Sequence, residues 1–209
     1  LMFRLTKTLK RSFGCKIFES VQDAIEDIRP GSTIAVGGYG TCGVPENLLR
    51  GLYELSSYDL HIYSMSSGYP NHGLDPLIKA QQIKRLTTTY LSNSSLVYNE
   101  WLSGHIELNV IPEGTLADKI RAGGAGIPGF YTKTGVGTDF EDGGFPIKYF
   151  PGGKGVEIFS SPKEKRIFYG AEHLFEESVR TQYSFVKAWK ADKQGNLIYR
   201  RTARNFNPS

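Results

Sequence analysis

Thr33-Ile34-Ala35-Val36, then Gly37-Gly38-Tyr39-Gly40-Thr41-Cys42-Gly43, then Val44-Pro45-Glu46-Asn47-Leu48-Leu49: an apolar strand breaks into a glycine loop and restarts as a helix. Glycines tolerate positive φ and allow close approach to the backbone, and a helix start presents unpaired N–H groups at the positive end of its dipole. Such a loop suits an anionic or carbonyl-bearing ligand, although it also serves as a plain tight turn. Pro45 fits the first helical position, where its missing N–H costs nothing. The spacing is neither the dinucleotide fingerprint, which needs G-x-G-x-x-G, nor a phosphate loop ending in Gly-Lys-Ser/Thr.

With 209 residues, 39% hydrophobic and 22% charged, the chain has the make-up of one soluble globular domain. Arg4, Lys7, Lys10, Arg11 and Lys16 all precede the first acid, Glu19, so the remainder carries a net −1 against the formal +4 of the whole. The body is therefore not a basic nucleic-acid binder. Residues 1–15 are basic, acid-free and spaced with Phe3, Leu5, Leu9 and Phe13, the pattern of a mitochondrial targeting segment; the plain alternative is a disordered basic tail. No run approaches the roughly 18 apolar residues of a membrane helix, so no membrane partner is expected. Cys15 and Cys42 imply no disulfide framework, and Cys42, without an accompanying His or Asp pattern, reads as a small packing residue rather than a nucleophile. His61, His72, His105 and His173 lack metal-ligand spacing, and no metal is expected.

Ser20 is placed to cap a helix whose apolar face is Val21, Ala24, Ile25 and Ile28. Beyond the glycine loop, Leu48, Leu49, Leu52 and Leu55 continue a buried helical stripe. Strands are then predicted at 60–65, 85–90 and 106–111, with helices at 74–82, 96–102 and 115–122. Alternation of this kind argues for right-handed βαβ units. The fold class is α/β: a Rossmann-like open, mostly parallel sheet with helices on both faces, followed by a glycine-rich and β-rich carboxy-terminal portion. Ligands of such sheets bind beyond the carboxyl ends of the strands, so the loops at 37–43, 66–73, 93–95 and 112–114 are expected to share one rim. Residues 123–153 read as a long loop that covers a site or meets a partner. Short strands follow at 146–150, 156–159, 165–169 and 185–189, and Gln194-Gly195-Asn196 forms a hairpin turn. The aromatics of this portion read as core.

These motifs resemble the amino-terminal half of the family I CoA transferases. The likeness covers nearly everything after the leader. It rests on Gly37-Gly38-Tyr39 with Gly43-Val44-Pro45-Glu46-Asn47, on Gln82-Ile83-Lys84-Arg85, Leu102-Ser103-Gly104 and Gly114-Thr115-Leu116-Ala117. It runs on through Ile120-Arg121-Ala122-Gly123-Gly124-Ala125-Gly126-Ile127-Pro128, Phe130-Tyr131-Thr132 and Pro146-Ile147-Lys148-Tyr149, and closes with Val186-Lys187-Ala188-Trp189-Lys190-Ala191-Asp192 and Ala203-Arg204-Asn205-Phe206-Asn207.

The resemblance implies a ping-pong exchange in the mitochondrial matrix, as in ketone-body breakdown: a glutamate attacks succinyl-CoA, CoA ends on the glutamyl group, and the keto acid acetoacetate collects it. The CoA thioester is a substrate, and no cofactor is implied. The implied substrate pocket is Gly37, Gly38, Tyr39, Gly43, Pro45, Glu46, Asn47, Met65, Ser66 and Glu113. No residue here is assigned a catalytic role, because the family's Ser-Glu-Asn-Gly nucleophile motif is absent from these 209 residues. The family's Ser-Asn-Asn is Ser64-Met65-Ser66, its Gln before Gly-Thr-Leu is Glu113, and its loop phenylalanine is Tyr39. A charged Glu113 would repel an anionic keto acid unless protonated or paired.

The organisation implied is a targeting segment, 1–15, and a transferase amino-terminal domain, 16–209, incomplete at its carboxy end, which joins a carboxy-terminal half and forms a homodimer when complete. Two alternatives stand beside the transferase: a catalytically silent subunit or paralogue that binds a partner half, and, more remotely, a sugar-phosphate isomerase of related fold. On the targeting reading, terminal sequencing of the protein from isolated mitochondria finds a start beyond residue 15; an intact Met2 start in a cytosolic fraction would contradict it.

Overall fold

A computed structural model describes residues 17–91 and 95–209. The expected targeting segment lies outside these residues, as do Asn93 and Ser94 of the third predicted loop. In chain order the elements are α1 (Val21–Ile25), β1 (Thr33–Val36), α2 (Glu46–Leu55), β2 (Leu60–Ser64), α3 (Asp75–Lys79), β3 (Ile83–Thr88), α4 (Ser95–Leu102), β4 (Glu107–Val110) and α5 (Glu113–Gly124). They continue with β5 (Gly129–Thr132), α6 (Asp139–Asp142), β6 (Pro146–Tyr149), β7 (Val156–Phe159), β8 (Lys165–Phe168), β9 (Ala171–Glu177), β10 (Tyr183–Phe185), β11 (Lys190–Ala191), β12 (Leu197–Ile198) and a 3₁₀ turn, Arg201–Ala203.

The main sheet has five strands in the order β10-β1-β2-β3-β4, every neighbouring pair parallel. Strands β1 to β4 are adjacent in chain order, so right-handed crossovers bring their connecting helices to the same face. There Ile34, Val36, Ile62 and Leu86 meet Leu49 and Leu52 of α2, Leu77 and Ile78 of α3, Val97 of α4 and Ile25 of α1 in one buried cluster. The strand pleat turns Tyr63 the other way, toward a second, smaller cluster of Met65, Ile111 and Leu116 joined by Ile120, Phe140 and Phe206. Helix α5 thus covers the opposite face. The α/β fold with flanking helices is the one read from the periodicity.

Local chemistry explains where the predicted boundaries move. Ser20 Oγ accepts the Asp23 N–H at 3.1 Å, as an N-cap should, but α1 ends at Ile25 and Ile28 is buried by a tight turn in which its N–H bonds the Ile25 carbonyl. Helix α3 stops at Lys79, because Gln81 takes up left-handed backbone (φ 54°), and β3 starts two residues earlier than its hydrophobic run suggested. Leu55, expected in the buried stripe of α2, is exposed on the helix's last turn.

The carboxy-terminal portion departs further from expectation. Residues 123–153 are not one long loop: α5 extends to Gly124, and β5, α6 and β6 follow. Strand β5 pairs antiparallel with β9, which pairs with β8; β6 and β7 form a separate hairpin, as do β11 and β12 around the predicted turn. The aromatics read as core are mostly outside it. Phe150, Phe159, Phe168, Tyr169 and Trp189 are exposed, while Phe185, on β10 beside β1, is fully buried. Two- and three-stranded sheets have an inner layer only if something covers them.

Among the described residues, one ionic contact joins this portion to the sheet domain. Glu176 on β9 is fully buried and lies 2.7 Å from Lys119 Nζ of α5 and 3.0 Å from Lys163 Nζ. Nearby, the Val179 N–H donates to the Lys119 carbonyl, which brings Val179 against Gly123 of α5. Alanine normally favours a helix interior over glycine by about 1 kcal/mol, but a Cβ at Gly123 would lie 1.8 Å from the Val179 carbonyl oxygen. The clash wins. Gly123→Ala is expected to lower stability by about 1–3 kcal/mol, the usual cost of overpacking, as measured by urea denaturation; a gain would show that β9 and α5 separate freely.

Candidate functional site

Strand β1 delivers the glycine loop to the carboxyl edge of the sheet. The Gly37 N–H still follows the sheet pattern, donating to the Phe185 carbonyl at 2.9 Å, and Tyr39 and Cys42 then exchange two backbone hydrogen bonds of 2.9 Å. The loop is a miniature hairpin. A Cβ at Gly37 would lie 2.1 Å from Asn207 Oδ1, and one at Gly43 (φ +69°) would lie 2.7 Å from the Ala203 carbonyl oxygen. The close approach these glycines permit is made by the chain's own carboxy-terminal segment. Asn207 is buried; its Oδ1 accepts the Lys187 N–H at 3.0 Å, and its Nδ2 donates to the carbonyls of Gly43 (3.1 Å) and Ala203 (2.9 Å). Pro45 occupies the cap position just before α2 rather than the first helical position. Cys42, read as a packing residue, is exposed at the loop's end.

A second loop after β2 repeats the construction, Tyr69 and His72 exchanging backbone hydrogen bonds of 3.2 and 2.8 Å. Glu46 links the two. It stands in the first turn of α2, where the helix dipole favours a carboxylate, and its oxygens accept the Gly73 N–H at 3.1 and 3.2 Å. Between the loops lies a cleft of about 310 Å³ bounded by Gly37, Gly38, Glu46, Ser66, Tyr69 and His72 among others. The loop after β3 is stitched to the same edge, since Ser66 pairs with Tyr90 and Thr89 Oγ1 donates to the Met65 carbonyl at 2.8 Å.

The residues singled out from sequence therefore divide. Gly37, Gly38, Glu46 and Ser66 line the cleft. Tyr39 is about half exposed on the outer side of its hairpin, and Asn47 faces solvent, bonding Arg50 at 3.2 Å. Gly43 is packed beneath Asn207 and Ala203, and Pro45 is buried behind the loop. Met65 does not reach the cleft: it is 1% exposed, packed against Ile111 and Leu116. Glu113 is exposed at the first position of α5, and Pro112 beside it lines a different space, a cavity of about 1010 Å³ between the edge strand β4 and the β6–β7 hairpin. The expected single rim is thus two openings. Asn207 was missed as a site residue, although it stands in the quoted Ala203–Asn207 motif; no local pattern links it to a loop more than 160 residues away.

The cleft is lined by the glycine loop, by Ser64 and Ser66 and by Glu46, whose carboxylate oxygens accept the Gly73 N–H.

The Coenzyme A transferase family model matches residues 18–209. The chain is 43% identical over 192 residues to the human protein named succinyl-CoA:3-ketoacid coenzyme A transferase 2, mitochondrial, covering 92% of this chain but 37% of that protein. It is 42% identical over 193 residues to a Mycobacterium tuberculosis protein whose name makes it one subunit of a probable succinyl-CoA:3-ketoacid coenzyme A transferase, covering 77% of it. Among solved structures, the acyl-CoA transferase apoenzyme of Escherichia coli O157:H7 superposes with a TM-score of 0.72 at 21% identity, over 93% of this chain and 38% of that one, a likeness of fold alone. With the family model spanning both the glycine-loop cleft and the Asn207 segment that closes on it, this chain belongs to the Coenzyme A transferase family and matches its amino-terminal half.

Proposed function

We propose that the chain is the amino-terminal half of a 3-oxoacid CoA transferase, which moves CoA from succinyl-CoA to acetoacetate in the mitochondrial matrix. The observation that carries this reading is the 42% identity across 77% of a bacterial protein that is itself named as one subunit of such an enzyme. The mitochondrial names of the mammalian relatives support the compartment. The chain supplies pocket walls, its glycine-loop amides and Ser66 facing the ligand. A carboxy-terminal half supplies the glutamate, whose carboxylate attacks succinyl-CoA to give a mixed anhydride and free CoA thiolate; the thiolate attacks the glutamyl carbonyl, releasing succinate and leaving a glutamyl thioester, and the keto acid carboxylate then takes CoA by the same two steps in reverse, which frees the glutamate. The thioester is a substrate, and the exchange as proposed draws on no cofactor. Complete, the enzyme is a homodimer of such paired halves.

A second reading, a silent subunit or paralogue that only binds a partner half, gains from one observation. Where the resemblance implies a substrate-facing amide, this chain places Met65 in the core.

The chain alone is expected to form no covalent intermediate. After incubation with succinyl-CoA and trapping with hydroxylamine or borohydride, mass spectrometry should find every glutamate unmodified, and added acetoacetate should give no acetoacetyl-CoA. A modified Glu46 or Glu113, with turnover lost on its change to Gln, would overturn the division of labour. The exposed Phe145, Phe150, Phe159 and Ile167 lead to a second expectation: co-expression with a carboxy-terminal half raises solubility and melting temperature, and no change in either counts against the partner. Glu113 stands outside the glycine-loop cleft, so only if the assembled enzyme brings the keto acid to the larger cavity beside it should Glu113→Gln lower KM, roughly fivefold, the equivalent of about 1 kcal/mol for one like charge removed from a partly solvated site. Absent turnover with both halves folded and associated would favour the silent reading.

A further inference from the structure

The fixed charge of the glycine-loop cleft has the wrong sign for a keto acid. Among the described residues that bound the cleft there is no lysine and no arginine; Glu46 is its one carboxylate, and His72 is its one side chain able to carry a positive charge. Behind the same loop Asp75 of α3, buried, accepts the Asn71 N–H at 2.8 Å and adds a second carboxylate to the neighbourhood. Many loop amides that would draw in an anion are already spent. The Gly37 N–H donates to Phe185, those of Tyr39 and Cys42 to each other, those of Tyr69 and His72 to each other, and that of Gly73 to Glu46. Glu46 itself holds the first turn of α2, where a bound anion would otherwise meet the helix dipole. An acid that enters the cleft as a carboxylate thus meets another carboxylate and, in place of a permanent cation, a histidine.

The fold sets that histidine at the mouth. His72 stands opposite Tyr69 in the small hairpin after β2, the two joined by backbone hydrogen bonds of 3.2 and 2.8 Å. The hairpin leans toward the glycine loop, since a Cβ at Gly40 would lie 3.7 Å from the Tyr69 hydroxyl, and Glu46 fixes its base through Gly73. His72 is exposed, and its imidazole bonds no other group among the described residues. Both ring nitrogens are therefore open to a ligand, and both donate once the ring is protonated. The other titratable groups on the elements around it are Glu46 from α2, Asp75 from α3, Tyr69 on the same hairpin, and Tyr39 and Cys42 on the glycine loop; none of these becomes positive. Histidine is the side chain that ordinarily changes charge between about pH 5 and about pH 8.

We propose that His72 is the specificity-determining residue of this cleft and makes it pH-switched: protonated, it supplies the counter-charge that lets the keto acid enter as a carboxylate beside Glu46, and neutral, it leaves the cleft to refuse that acid. The inference rests on the transferase reading for the identity of the acid and adds to it a charge switch carried by this chain. The pair His72 would form is partly solvated, so its strength is that of an exposed ion pair, enough to select by charge and too little to hold a ligand unaided.

The test is a ligand-observed NMR titration of acetoacetate, and of methyl acetoacetate, its uncharged ester, into the full chain at about pH 6 and about pH 8. Acetoacetate is expected to bind about fivefold more tightly at the lower pH, and the ester equally at both. His72→Gln should hold acetoacetate at the weaker affinity at both pH values and leave the ester unchanged. His72→Lys should hold it at the tighter affinity at both, which separates loss of charge from loss of fold. Acetoacetate affinity that is the same at the two pH values, or a pH dependence that survives His72→Gln and so belongs to Glu46 or Asp75, overturns the inference and leaves the transferase reading standing. An ester that follows pH as the acid does shows movement of the hairpin rather than selection by charge and overturns it too. No binding of either compound also overturns it, and the transferase reading is then judged separately by thioester trapping with a carboxy-terminal half present.

Discussion

The amide of Asn207 is the contact on which the architecture of the site turns. Three segments far apart in sequence meet around it: the loop after β1, the stretch after β10, and the carboxy-terminal 3₁₀ turn. It is nearly fully buried and satisfied by Lys187, Gly43 and Ala203. A buried amide left without partners would cost several kcal/mol, so these segments hold one another in place. The glycines at 37 and 43 are needed for that reason: the space their side chains would fill is already occupied by Asn207 and its neighbours.

The cleft follows from this constraint together with Glu46. Its carboxylate bridges from the start of α2 to the Gly73 amide, so the first two loops are set relative to each other by a charged acceptor at a helix end. Glu113 lies at another helix start but is exposed beside the larger cavity, and Met65 fills the core between β2 and α5. Of the four departures from the family motif, the one at 65 is thus a matter of packing in this chain, and the one at 113 a matter of charge at a surface.

The carboxy-terminal portion has a different character from the sheet domain. It is anchored by β10 in the parallel sheet and by the Lys119–Glu176–Lys163 contact, yet its small sheets leave Phe150, Phe159, Ile167 and Tyr169 to solvent. A buried carboxylate between two ammonium groups specifies where β9 docks more than it stabilises the docking, since desolvation offsets much of the attraction.

The α/β class was legible because it is written in short-range periodicity: the alternation at 60–64, the i, i+3, i+4 stripes of Ala24, Ile25 and Leu48, Leu49, Leu52, and the turn at Gln194-Gly195-Asn196 each depend on residues a few positions apart. The glycine loop, its place after the first strand and the family to which its motifs point were read the same way. Tertiary structure alone decided that Phe185 pairs beside β1 while Phe159 and Trp189 stay outside, that Met65 is core, that Cys42 is exposed, and that the loop glycines make room for Asn207. The physical reason is common to all four: whether an apolar side chain is buried, or a glycine is obligatory, depends on what packs against it from distant sequence, and no local pattern carries that information.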